Sequence, residues 1–302
     1  METPYIKSFK AFLALEKGLS PASITAYLQD LKKLTEFIEI HALNKGLSQL
    51  ELNDLQNFIT YLNELGLSVN SQARIISSLK AFFRYLILED VLLEDPALLL
   101  SAPKLARSLP SVLTHQEIEL LIAAIDHSKK EGSRNRAILE VLYACGLRVS
   151  ELTNLKLSNM YLHIGFIKVI GKGNKERMVP IGDQAIKHLE FYLLDRNQMT
   201  NIKPESEDIV FLNRRGGQLT RNMIFIIIKD LAKKAGIDKK VSPHTFRHTF
   251  ATHLIEGGAN LRIVQDLLGH KSIVTTEIYT HLDMGYLKET IQLFHPRHRT
   301  NE

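Results

Sequence analysis

Apolar residues fall at three- and four-residue steps through the first 95 positions, and that spacing constrains the fold more than any other feature of the chain. Ile24, Tyr27, Leu28, Leu31, Leu34 and Ile38 form one such run. Leu52, Leu55, Phe58, Ile59 and Leu62 form a second, and Ile75, Leu79, Phe82, Phe83 and Leu86 a third. Each run puts one apolar stripe on a helix that must be buried against another element. Ser20 and Pro21 supply a cap and a first-turn proline for the first run. With residues 5–15, the spacing predicts four or so helices joined by short loops.

The pattern then changes. Pro96, Pro103 and Pro110 punctuate a stretch that carries Lys104 and Arg107 and has no strong period. Proline removes a backbone donor and disfavours helix just before it, so residues 96–112 read as an extended linker. Helical spacing resumes after Thr114, which forms a capping-box pattern with Glu117. The segment 113–302 is predicted mostly helical with one β island. FIKVIG (166–171) and ERMVPIG (176–182) flank KGNK (172–175), two β-prone runs around a Gly/Asn turn. The fold class expected is mainly α in two domains: a helical 1–95 and a mixed α/β, mostly helical 113–302 with a small hairpin.

Composition narrows the function classes. At 45% apolar residues the chain supports a real core. No apolar run approaches the roughly 20 residues that span a bilayer, and the opening METPYIKSFKAF lacks the form of a secretory signal. A single cysteine, Cys145, leaves no disulfide framework or Cys-rich metal site. A cytoplasmic protein is expected. Charge is uneven. Residues 1–95 hold 9 Lys/Arg against 12 Asp/Glu, whereas residues 96–302 hold 29 against 21. A basic second part suits a polyanionic partner, though it also suits an ordinary soluble surface. Arg74, Lys80 and Arg84 lie off the apolar stripe of the last N-terminal helix, on either a solvated or a phosphate-contacting face.

Four short motifs carry candidate chemistry. In SPHTFRHTFATHL (242–254), Ser242 and Pro243 start a helix that puts His244 and Arg247 on one face at its N-terminus. That end favours anions, and arginine adds a planar fork matching phosphate oxygens. In LLGHKSIVTTEIYTH (267–281), Gly269 ends a helix, His270 follows, and Tyr279 comes nine residues later. In YACGLRVSEL (143–152), Gly146 breaks a helix and Arg148 sits at the turn. Lys172 occupies the glycine-flanked hairpin tip, which lacks the spacing of a P-loop. Each has a bland alternative: a surface pair, a core tyrosine, an arginine paired with Glu151, an exposed turn lysine. The histidines form neither H-E-x-x-H nor a Cys/His cage, which argues against zinc.

Taken together and in this order, Arg148, Lys172, His244–Arg247, His270 and Tyr279 resemble the signature of the tyrosine recombinase (phage integrase) family. GLRVSEL (146–152), GKGNKER (171–177), LLGH (267–270) and IYTH (278–281) sharpen the likeness, which runs over nearly the whole chain and is nearest to the Xer site-specific recombinases, XerD-type members in particular. The resemblance implies a SAM-like core-binding domain over 1–95 and a catalytic domain over 113–302, clamping DNA between them. It implies DNA cleavage by a Tyr279 nucleophile, with Lys172 as general acid and no metal or cofactor. It further implies a dif-like duplex site, a XerC-type partner in a heterotetramer, an FtsK-type translocase as activator, chromosome-dimer resolution at cell division, and no membrane insertion. The C-terminal helix, around residues 286–294, would dock on a neighbouring protomer or fold back on its own domain. A mobile-element integrase with the same chemistry, and a DNA-binding module without catalysis, are the competing expectations.

Overall fold

The computed structural model describes residues 4–101, 111–269 and 281–298. The chain divides into two compact units, Met1–Ser108 and Leu109–Glu302. The first is built on four helices: α1 (Pro4–Leu15), α2 (Pro21–Ile40), α3 (Leu52–Glu64) and α4 (Val69–Leu88). The predicted cap of α2 forms, with Ser20 Oγ accepting the Ser23 amide at 3.3 Å and Pro21 in the first turn. Phe9, Leu31, Leu55, Phe58, Leu79, Phe82 and Phe83 fill the core. Ala97 and Leu100, from the start of the stretch read as a linker, are buried in that same core. Proline-rich sequence therefore does not mean solvent-borne chain at that point. The rest of the stretch, with Lys104 and Arg107, lies outside the described residues.

One polar contact runs through the first unit. Asp30 on α2 is fully buried, accepts the Ser78 hydroxyl at 2.7 Å and pairs with Arg74. Both partners lie on α4, so the carboxylate ties α2 to α4.

The second unit begins with α5 (His115–Ala123), whose capping box forms in both directions: Thr114 Oγ1 accepts the Glu117 amide at 3.2 Å, and Glu117 Oε2 accepts the Thr114 amide at 2.7 Å. α6 (Gly132–Cys145) is the central helix, with 11 of its 14 residues buried. Only a helix with neighbours on every side is buried all round. It is followed by α7 (Val149–Thr153), a three-stranded antiparallel sheet, and α8 (Asp183–Asn197). The sheet comprises β1 (Met160–Tyr161), β2 (Phe166–Ile170) and β3 (Glu176–Pro180), with β2 central. The predicted hairpin is the β2–β3 pair, in register from Phe166↔Pro180 to Ile170↔Glu176. Gly173 (φ +74°) and Asn174 (φ +60°) make its turn, and the Gly171 amide donates to Lys175 O at 2.7 Å. Helices α9 (Arg221–Lys234), α10 (Pro243–Gly257), α11 (Leu261–Leu268) and α12 (His281–Phe294) complete the unit. α12 folds back on its own domain: Leu287 and Ile291 are buried with Phe250, Leu254, Val264 and Leu267. Each such side chain contributes about 1.5–3 kcal/mol.

Candidate active site

α6 ends on Gly146, whose φ of +56° closes the helix and whose missing side chain is needed. A Cβ there would lie 2.4 Å from Phe250 Cδ1. The chain can therefore turn sharply against α10, and Leu147 is driven into the core. Arg148 follows in extended conformation as the residue before α7. Its amide donates to Glu151 Oε2 at 2.8 Å and its Nη1 to Glu151 Oε1 at 2.8 Å.

Glu151 is 3% exposed and gathers three arginines from three elements. Arg177 on β3 engages it with both arms, Nη1 to Oε1 at 2.8 Å and Nη2 to Oε2 at 2.9 Å. Arg148 is the second, and Arg247 on α10 lies 3.9 Å from Oε2. Burial alone would raise the Glu151 pKa, but the hydrogen bonds and charge of Arg177, then those of Arg148, hold it below the ordinary carboxylate value. It is charged at neutral pH.

The same three guanidiniums each take one of three successive carbonyls where α11 ends. Arg177 Nε donates to Leu267 O at 3.0 Å, Arg247 Nη2 to Leu268 O, and Arg148 Nη2 to Gly269 O at 3.2 Å. Those carbonyls have no intrahelical partner and form the negative end of the helix dipole. Arg247 also donates through Nη1 to Gly146 O at 2.8 Å, so the turn that presents Arg148 is fixed by Arg247. Burial, then the nearby Arg148 charge, pull the Arg247 guanidinium down to about 10, which leaves it charged at neutral pH. Three guanidiniums against one carboxylate leave a positive excess. Arg148 is the most open of the three, with its side chain 36% exposed against 8% for both Arg177 and Arg247. The arrangement concentrates positive charge above one buried carboxylate.

His244 sits in the first turn of α10, exposed, where Ser242 accepts the Thr245 amide and Pro243 opens the helix as predicted. Its ring lies 4.5 Å from that of His248. Burial, then His244 and Arg247, lower the His248 pKa, so that ring is neutral at pH 7. Lys172 stands in the turn of the β2–β3 hairpin. His270 and Tyr279 lie outside the described residues. The structure thus brings together Arg148, Arg247 and the α10 N-terminus carrying His244.

Two members of the site were not singled out from sequence. From sequence Glu151 reads as a surface partner of Arg148 or as a group supporting the site, with nothing to decide between the two. Arg177 carries no motif of its own, but it occupies an inward position of β3, between the half-buried Glu176 and Met178, where an apolar residue is expected. An arginine at a buried strand position was the available signal.

The three N-terminal candidates differ. The Arg74 charge is taken up by Asp30. Lys80 Nζ donates to Leu98 O at 3.1 Å. Arg84 is exposed and has no ion-pair partner among the described residues.

The chain matches the model of the phage integrase family over residues 111–285 and that of the phage integrase N-terminal SAM-like domain over residues 6–90. It is 44% identical over 295 residues to the tyrosine recombinase XerD of Listeria monocytogenes serotype 4b (strain F2365), covering 97% of this chain and 98% of that protein. It is 43% identical over 302 residues to the tyrosine recombinase XerD of Chlorobaculum tepidum, covering 98% of each. Among solved structures, XerH bound to its difH substrate in a pre-cleavage complex aligns with a TM-score of 0.67 at 26% identity, over 82% of this chain and 74% of that one. A recombinase fold is in keeping with a SAM-like helical unit followed by a mostly helical unit with a three-stranded sheet. The chain belongs to the phage integrase family: it is a tyrosine recombinase, an enzyme that exchanges DNA strands.

Proposed function

We propose that this chain cuts and rejoins duplex DNA through Tyr279. The phenol oxygen attacks a backbone phosphorus, the bond from phosphorus to the 5′-oxygen breaks, and a 3′-phosphotyrosine and a 5′-hydroxyl result. The reverse reaction with another 5′-hydroxyl completes the exchange. A covalent intermediate divides one hard step into two and conserves the bond energy for rejoining. Arg148 and Arg247 neutralise the charge that gathers on the non-bridging oxygens, and His244 adds a donor from the α10 N-terminus. Lys172 gives the leaving 5′-oxygen its proton. His270 positions the phosphate or helps take the proton of Tyr279, whose ordinary pKa of about 10 leaves little phenolate at neutral pH. The observation that carries this reading is the arginine cluster held on Glu151 and on the last carbonyls of α11 up to Gly269, the residue immediately before the segment that leads to Tyr279. A nicked suicide duplex carrying the site recovered from chromosomal fragments that copurify with the protein tests it. Wild type gives a covalent adduct on a denaturing gel and Tyr279→Phe gives none. An adduct that persists with phenylalanine moves the nucleophile elsewhere.

The physiological reading is resolution of chromosome dimers to monomers at cell division in the bacterial cytoplasm. The chain acts at a dif-like site with a XerC-type partner in a heterotetramer, and an FtsK-type translocase activates it. Identities of 43–44% over nearly the full length to proteins named XerD support this over a mobile-element integrase. Among the described residues no helix is long and apolar enough to cross a membrane. Arg84, with Lys80 and Arg74 beside it, is the N-terminal contact for the DNA backbone.

A further inference from the structure

Arg177 links β3 to α7 and to the end of α11, yet the chemistry above gives it no part. It reaches Glu151 with two arms and the end of α11 with its third nitrogen. Two glycines also rest on this pair. A Cβ on Gly269 would lie 3.1 Å from Arg177 Nη1 and 3.2 Å from its Cδ and Cζ. A Cβ on Gly171 would lie 3.5 Å from Glu151 Oε1 and 3.7 Å from Arg177 Nη1. Gly269 immediately precedes His270, and Gly171 immediately precedes Lys172. The backbones that lead into two residues assigned to the chemistry therefore lie against one guanidinium–carboxylate pair. A side chain on Gly269 would be strained for a second reason, since its φ is +62°.

We propose that Arg177 is a positioning residue: paired with Glu151, it sets where the hairpin delivers Lys172 and where α11 releases the chain to His270. The inference rests on the assignment of Lys172 and His270 above. Arg177 is buried with each of its three nitrogens bonded to protein, whereas Arg148 is the open member of the cluster. Its planar fork fixes direction as well as distance, which a lysine ammonium does not. A misplacement on the order of 1 Å costs about a hundredfold in rate.

The test uses the full-length protein with Arg177→Gln and Arg177→Lys, the second keeping a positive charge beside Glu151 should the first fold poorly. Amide hydrogen exchange is read over residues 171–176 and 262–269. Cleavage is compared on two suicide duplexes, one with the natural 5′-oxygen and one with sulfur in its place. In the second, the tyrosine–phosphorus bond forms as the phosphorus–sulfur bond breaks, and the thiolate leaves with the electron pair and needs no proton. The expected result is faster exchange in both segments, DNA affinity within about twofold of wild type, and cleavage slowed about a hundredfold, with at least tenfold of that recovered on the sulfur substrate. Unchanged exchange in both segments overturns the proposal. So does equal slowing on the two substrates while Lys172→Ala is rescued by sulfur. If sulfur does not rescue Lys172→Ala, the acid has been misassigned, and the exchange result alone decides the role of Arg177.

Discussion

Glu151→Gln removes the charge on which the three arginines converge and leaves the shape almost intact. The amide oxygen still accepts one arm of Arg177, but the amide nitrogen then faces donors: the Arg148 backbone N–H and the second arm of Arg177. Arg177 and Arg247, 6% and 7% exposed, keep their charges with no carboxylate partner left among the described residues. Breaking a buried pair by removing one partner costs about 3–5 kcal/mol. In a unit of this size each kcal/mol moves Tm by about 2–4 °C, so the second unit's transition falls by about 6–20 °C at pH 7. The pH dependence has a definite sign. The folded-state pKa of Glu151 is depressed, so its contribution is complete above the unfolded value of about 4.3 and is lost as pH falls through the lower folded value. The gap between wild type and variant therefore closes on acidification below about pH 4.3 and is constant above it. Differential scanning calorimetry from pH 3 to 8 reads both quantities. An unchanged Tm at pH 7, or a gap that survives full acidification, refutes the claim that this carboxylate holds the cluster.

Three further outcomes follow from single contacts. Gly146→Ala places a Cβ 2.4 Å from Phe250 on a positive-φ backbone, and chemical denaturation is expected to show a loss above about 2 kcal/mol, with cleavage falling because Arg148 is displaced. Ile291→Ala, at a position 1% exposed, is expected to cost about 2–5 kcal/mol and to raise proteolysis within α12 before the rest of the unit. Replacing Arg74, Lys80 and Arg84 together weakens DNA binding and flattens its salt dependence, and Arg84→Ala alone reproduces most of the change in slope, since the other two already have partners. A slope that Arg84→Ala leaves untouched removes that face from the interface.

Local grammar was legible in the sequence and long-range pairing was not. Caps such as Ser20 and Thr114–Glu117, the hairpin around residues 172–175, and the helix-ending Gly146 and Gly269 depend on neighbours within a few positions. Arg148, Arg247 and His244 were recognisable because each sits in such a local context. The floor beneath them is different in kind. Glu151 meets Arg177 across 26 positions, and Arg148 meets Gly269 across 121, so the strand period marks Arg177 as inward but neither period names the partner. Arg74 illustrates the same limit. Its place off the apolar stripe left it a candidate for phosphate, while the buried Asp30 that engages it is 44 positions away. The C-terminal helix was visible as an apolar stripe, but a stripe does not name the surface that covers it. Here that surface is the domain's own, around Phe250 and Leu267.

The central claim is that Tyr279 becomes covalently joined to DNA. A suicide duplex trapped on the wild-type protein, digested with nuclease and trypsin, can be read by fragmentation mass spectrometry on the peptide covering residues 272–288. That peptide also contains Tyr286, which serves as an internal control. A nucleotide 3′-phosphate localised to Tyr279 is the result predicted. The same mass addition on Tyr286, or on a peptide elsewhere in the chain, contradicts it.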